Sequence, residues 1–439
     1  MPVSFARLRS WIAGGLVLAA LLPALPGATG VDLDPRPTRQ PDRIMLTWSG
    51  DPATTQAVTW RTDASVTEAV AELAVATAGP GFRDSVTTVA ATTSALETES
   101  GLAHYHSVVF TDLRPNTRYV YRVGDGAEHW SEWIQFRTAS DTPEPFSFIY
   151  VGDAQNEIFS MWSRAIREAY AEAPRARFII HAGDLVNRAH RDLEWHEWFA
   201  AGGWIHRMVP GIPVPGNHEY DPLPDSPDDA DVLARQWRHQ FTLPPHEIPA
   251  LDETAYVIDY QGVRIIGLNT LTHIDEQAAW LETVLADNPN HWTVVTFHFP
   301  VFSAARGRDN EELRAAWKPL FDRYRVDLVL QGHDHAYGRG HNLPVGVNQR
   351  DPEAGTVYVV SVSGPKMYRL SPEADWMDRA AEDTQLYQVI DVTPDLLTYR
   401  AMTVTGELYD SFQIVRGADG VKRFMDGARR LGPERRGEE

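Results

Sequence analysis

The chain has 439 residues, 43% of them hydrophobic, a formal net charge of −20 at pH 7 and no cysteine. That length accommodates about two or three domains with cores of their own. The acidic balance argues against a nucleic-acid binder, which shows a basic patch or stripe, and the missing cysteines exclude disulfides, thiolate catalysis and Cys-ligated zinc.

Residues 1–30 read as an export signal: Arg7 and Arg9, the apolar run WIAGGLVLAALLPAL, then the small residues GATG. The run is short and broken by Pro23 and Pro26, which fits a cleaved leader better than a membrane anchor. No later segment has the length and apolarity of a span. The expectation is an exported protein, periplasmic or secreted, with no stable membrane span after signal cleavage. Residues 31–43 are proline-rich and polar and read as a linker.

From 44 to 138, short runs such as QAVTWRT, HYHSVVFTDL and RYVYRVGDG alternate apolar and polar positions between turns. That pattern predicts an all-β sandwich. LRPNTRYVYRV resembles the corner of a fibronectin type III-like domain. ASDTPEP then leads into a different regime, 146–415, where apolar runs alternate with helical patterns near 157–172, 275–287 and 310–324. This alternation predicts α/β layers. Residues 425–439 are expected to be a disordered tail.

The chemistry sits at the ends of the apolar runs. FIYVGDAQ supplies Asp153 and Gln155, and FIIHAGDLVN supplies Asp184 and Asn187. IPVPGNHE supplies Asn217, His218 and Glu219, TVVTFHFP supplies His298, and VDLVLQGHDH supplies His333 and His335. Ligands of α/β sheets gather outside the carboxyl ends of strands, so five such tips can face one crevice. Aspartate, asparagine and histidine suit divalent Zn, Fe, Mn or Co. A carboxylate can bridge two such ions about 3.5–4 Å apart, and a water between them ionises near neutral pH. Taken singly, each residue is as well explained by a turn or a buried histidine; the five blocks together argue for a metal centre. No Walker-type loop, dinucleotide fingerprint or nucleophile-elbow serine is present. Trp195, Trp198 and Trp204 read as core, His181 as packing behind the second Gly-Asp pair, and His190, His196, His206 and His291 as surface or structural.

The order GD, GD, GNHE, H, GHxH resembles the metallophosphoesterase (calcineurin-like) superfamily, and the preceding sandwich with GHDHAYGR resembles its purple acid phosphatase branch. The resemblance implies an α/β (α+β) four-layer catalytic sandwich behind an all-β domain. It implies one ion on Asp153, Asp184 and His335 and another on Asp184, Asn217, His298 and His333, with Asp184 bridging. His218 would be the hydrogen-bond donor or general acid. It further implies two divalent ions (Fe, Zn or Mn), a metal-bridging hydroxide as nucleophile and a small phosphate-ester substrate, most simply a monoester. The purple enzymes have a ligating tyrosine where this chain has Asn187, and many superfamily members a histidine where it has Gln155. Gln155 either ligates through its amide oxygen or hydrogen-bonds a metal-bound water. Arg306 and Arg308, in ARGRDN, either contact phosphate or are solvated loop residues. The rival readings are a phosphodiesterase or nucleotide hydrolase with the same site, and a non-catalytic surface-binding protein. Oligomeric state is left open.

Overall fold

In the computed structural model, which describes residues 34–224, 229–341 and 355–437, the β-rich part is two four-stranded antiparallel sheets. One runs in the order Asp42–Thr47, Gln56–Asp63, Gly101–Phe110, Thr92–Thr98. The other runs Thr87–Ala90, Val70–Val75, Arg118–Gly124, Ile134–Arg137. Side chains alternate across each strand, so one set, including Val58, Trp60, Tyr121 and Phe136, fills the space between the sheets.

Two seven-stranded mixed sheets follow. The first begins Gly211–Pro213, Ile179–His181, Phe146–Val151, parallel to one another, and continues through antiparallel strands from Leu386–Val392 to Lys422–Asp426. The second is parallel through Val263–Gly267, Trp292–Phe297, Leu328–Gln331 and Val357–Val360. Its strands read as near-continuous apolar runs because both faces are covered. Val294, Leu328 and Val359 point into one core with the first sheet. Val295, Val329 and Val360 point the other way, onto the helices Ile274–Ala286 and Glu311–Tyr324. Helices Ser163–Glu172 and Asp192–Gly202 belong to the first core, completing four layers. Trp195 and Trp198 are fully buried there, whereas Trp204, read as core, is half-exposed.

Three boundaries differ from expectation. Asp42 and Arg43, assigned to a linker, already form strand. Arg43 is buried and ion-paired with Asp192 at 2.7 Å, and Arg61 joins the same aspartate at 3.3 Å. Trp48 packs on Phe178 and Tyr260. Polar residues read as solvent-facing here because their partner lies about 150 residues away in sequence. The catalytic sheets also continue past 415. Residues 425–437, expected to be disordered, carry the end of the Lys422–Asp426 strand and a pairing of Arg435 with Ala381. Charge and glycine suggested disorder, but Met425 pairs with Gln413 and Glu434 finds a backbone donor, accepting from Ala380 at 2.8 Å. The expected signal at 1–30 lies outside the described residues. No helix among the described residues is long and apolar enough to cross a membrane.

Candidate metal centre

The five strand tips meet where the two sheets adjoin. Asp153 follows Phe146–Val151, Asp184 follows Ile179–His181, and Asn217 follows Gly211–Pro213, all in the first sheet. His298 follows Trp292–Phe297 and His333 follows Leu328–Gln331, both in the second. Each chain turns sharply as it leaves its strand. Asp153, Asp184, His333 and His335 have φ of +53°, +52°, +77° and +46°. Non-glycine residues in this region are strained and tend to cluster at functional sites. Two glycines make room: a Cβ at Gly216 would lie 2.2 Å from Asp184 Oδ1, and one at Gly332 2.5 Å from Asp153 Oδ2.

The result is two groups of donors sharing one carboxylate. Asp184, His298 and His333 form one, and Asp153, Asp184 and His335 the other, with the donor atoms of each group within 4.8 Å of one another. In the first of these, His298 Nε2 lies 3.1 Å from Asp184 Oδ1, 3.2 Å from Asn217 Oδ1 and 3.3 Å from His333 Nδ1. Its Nδ1 donates to the Ala182 carbonyl at 2.8 Å, which fixes the ring and turns Nε2 to the centre. In the second, His335 donates from Nδ1 to the Lys366 carbonyl and holds Nε2 3.7 Å from Asp153 Oδ1.

Gln155 lies between the groups, with Nε2 2.7 Å from Asp184 Oδ2 and 3.0 Å from His335 Nε2. Its Oε1 is buried without a partner among the described residues, as is Asp153 Oδ2. Buried polar atoms are rarely left unpaired. Two orphan oxygens beside a carboxylate and an imidazole fit a cation. A half turn of the amide would carry Oε1 to the carboxylate side.

The electrostatics divide the donors. Burial pushes the Asp153 carboxyl up to about 8, helped by the neighbouring Asp184 charge and opposed by His298. Burial works against charge on Asp184 too, but His298 and His218 hold its carboxyl well below the usual range. Burial and then His298 lower His333 to about 2, and burial and then Lys366 lower His335 to about 3. Both are therefore neutral at neutral pH, the state a metal ligand needs. His298 goes the other way, to about 9: burial lowers it, but Asp184 outweighs burial.

The remaining expected residues divide. His218 donates from its backbone N–H to Asp184 Oδ1 at 3.0 Å. Its Nδ1 lies 2.7 Å from the Asn187 carbonyl, and its partly exposed Nε2 is 4.0 Å from Asp184 Oδ2. The Asn187 side-chain oxygen instead accepts from Asn156 at 3.0 Å, and no hydrogen bond among the described residues joins it to the cluster. Arg308 sits at the rim, donating to the His333 carbonyl at 3.2 Å, with its guanidinium over the Tyr368 ring. Arg306 lines a separate cavity of about 310 Å³ with Arg369 and Glu382. The loop turns between these two arginines at Gly307, φ +74°, so they face different surroundings.

Two residues that shape the centre received no role from sequence. Glu219 is fully buried and accepts four backbone N–H bonds, from Asp184, Leu185, Val186 and Gly216, at 2.7–3.2 Å. It locks two metal loops together. Asp334 accepts from Ala304 and Ala305 and so fixes the loop that carries Arg308. The signal was their place inside GNHE and HDH, where a fully buried carboxylate needs a partner.

Comparison with known proteins agrees with this geometry. Residues 41–138 match the purple acid phosphatase N-terminal domain, and 146–337 match the calcineurin-like phosphoesterase domain. An uncharacterized protein of Mycobacterium tuberculosis is 29% identical over 374 residues, covering 73% of this chain and 69% of its own. Purple acid phosphatase 23 of Arabidopsis thaliana is 26% identical over 326 residues, 65% of this chain and 68% of its own. The purple acid phosphatase PPD1 of yellow lupin seeds shares the fold, with a TM-score of 0.74 at 19% identity over 87% of this chain and 75% of its own. The chain belongs with the purple acid phosphatase-like metallophosphoesterases, metal-dependent hydrolases of phosphoric esters.

Proposed function

We propose that this enzyme hydrolyses small phosphate monoesters at a dinuclear divalent-metal centre. The observation that carries the reading is a pair of donor groups sharing Asp184. Asp153, Asp184 and His335, with Gln155 through its amide oxygen, would hold one ion. Asp184, Asn217, His298 and His333 would hold the other. When bound, such a pair supplies an ionised water at neutral pH and stabilises charge developing on phosphorus.

The chain's own groups do the rest. The Ala182 and Lys366 carbonyls orient His298 and His335. Glu219 keeps the two loops in register. The Asn187 carbonyl takes the Nδ1 proton of His218 in a hydrogen bond and leaves Nε2 facing outward over Asp184. In its imidazolium form, His218 hydrogen-bonds the ester oxygen from Nε2 and gives it that proton as the bond to phosphorus breaks. Arg308 contacts the anion at the rim. The absence of a tyrosine at 187 supports a divalent pair (Fe, Zn or Mn) and a colourless protein.

The test is turnover of phenyl phosphate against diphenyl phosphate, with metal counted on the same sample. Faster monoester turnover and two metals per chain are expected. Faster diester turnover would replace the substrate reading with the phosphodiesterase one, and a single metal would remove the dinuclear one. Export is a separate proposal from the N-terminal sequence, checked by the N-terminus of the mature protein.

A further inference from the structure

The strands Ile179–His181 and Gly211–Pro213 deliver Asp184 and Asn217 at their carboxyl ends. Their amino ends open on a second cleft, about 690 Å³, between the β-sandwich and the catalytic layers. Five arginines and one glutamate line it, in a chain whose formal net charge is −20.

The arginines are poorly neutralised. Arg118 and Arg137 stand directly opposite each other on paired strands, where like charges repel. Arg137 is anchored on Asn116 at 3.0 Å. Arg207 pairs with Glu132 of the sandwich at 2.7 Å, bridging the cleft. The side chains of Arg118, Arg175 and Arg177 make no hydrogen bond or ion pair among the described residues. Between them stands Trp204, 52% exposed, its ring edge-on to Tyr170 at 4.8 Å. Trp133 lies on the opposite wall, half-buried. Packing on Tyr170 uses one edge of the indole and leaves half of the side chain exposed to the cleft.

We propose that this cleft is a binding site for a short carboxylated oligosaccharide, separate from the metal centre. Guanidinium forks match carboxylates in bidentate geometry, and the open face of an indole suits the apolar face of a sugar ring. The volume lies within the range of specific ligand sites, about 300–1,000 Å³, and fits a few sugar rings rather than a duplex. Carboxylates are favoured over phosphate esters on the strength of the proposed function, because an ester that leaves this cleft would be hydrolysed at the metal centre. Both walls contribute, so the ligand would fasten the sandwich to the catalytic layers and hold the enzyme on an acidic carbohydrate matrix.

The experiment is calorimetric titration of the full chain with trigalacturonate, alongside maltotriose, inorganic phosphate and a short single-stranded oligonucleotide. Trigalacturonate should bind, more weakly as salt rises. Trp204→Ala and the pair Arg175→Ala, Arg177→Ala should each weaken it about tenfold or more, with unchanged turnover of phenyl phosphate and unchanged melting temperature. Arg118→Glu, on the sandwich wall, should do the same. No binding of trigalacturonate, or binding that none of these variants alters, overturns the proposal. Equal binding of maltotriose, or tighter binding of phosphate or the oligonucleotide, overturns the choice of ligand. Absence of phenyl phosphate turnover in the wild type would count against the proposed function and the preference for carboxylates drawn from it, but not against binding in the cleft, which the titration reads directly.

Discussion

The two donor groups around Asp184 are built differently. On the His298 side every donor touches another: His298 Nε2 has three neighbours within 3.3 Å, and its Nδ1 is tied to the backbone. On the Asp153 side the spacing is looser, 3.7 Å from His335 to Asp153, and two oxygens have no partner. The position that holds a tyrosine in the purple enzymes is here Asn187, engaged with Asn156. One half is preorganised without an ion, and the other is finished only by one. The asymmetry teaches that the ion on the Asp153 side should be the labile one, because that side offers one imidazole where the other offers two, and its donors are less preorganised.

The severest way to break the comparison is Asp184→Ala, which removes the only donor common to both groups. Activity should fall to background and both ions should be lost in elemental analysis; retention of two metals would show that Asp184 does not bridge. His218→Ala leaves both groups intact and should keep both metals. Turnover should fall by roughly 10²–10⁴ if this ring supplies the leaving-group proton. A nitrophenolate leaving group should lose much less than an alkoxide; equal losses refute the acid role. Gln155→Ala sharpens the asymmetry directly. It should weaken one ion by about 10–100-fold in a chelator competition and leave the other unmoved. Weakening of both would mean that the amide serves the bridge rather than one side. The wild type loaded with iron should show no strong visible charge-transfer band. Such a band would falsify the carry-over at Asn187 by revealing a ligating tyrosine elsewhere.

The smallest effect separates the donors from the packing behind them. His206 is buried against Trp198, and burial lowers it to about 3; beside it, burial also holds His181 well below its usual value. Unfolded histidine titrates near 6.5. The folded state therefore binds fewer protons, and stability is present above pH 6.5 and is lost as pH falls toward the folded values. Melting temperature should drop on acidification below about 6.5, and His206→Phe should flatten part of that drop. An unchanged profile in the variant would place the acid sensitivity in the metal loops instead.

Sequence alone determined the ends of the strands. Five apolar runs each stop at a donor residue, four of them beside a glycine, and the alternation of strand and helix puts all five tips on one side of their sheets. That local grammar needs no knowledge of distant partners, which explains why Asp153, Asp184, Asn217, His298, His333 and His335 were all readable as a set. The tertiary structure decided what depends on contacts between residues far apart. It separated Arg306 from Arg308 across a left-handed glycine and gave Glu219 four backbone donors. It drew Arg43 out of an expected linker into a buried ion pair, and it folded the C-terminal residues onto the first sheet. Arg43 and Glu219 are the buried cases: each is charged, and its sequence context is that of a solvated residue. Only the three-dimensional arrangement supplies the partner that makes its burial tolerable.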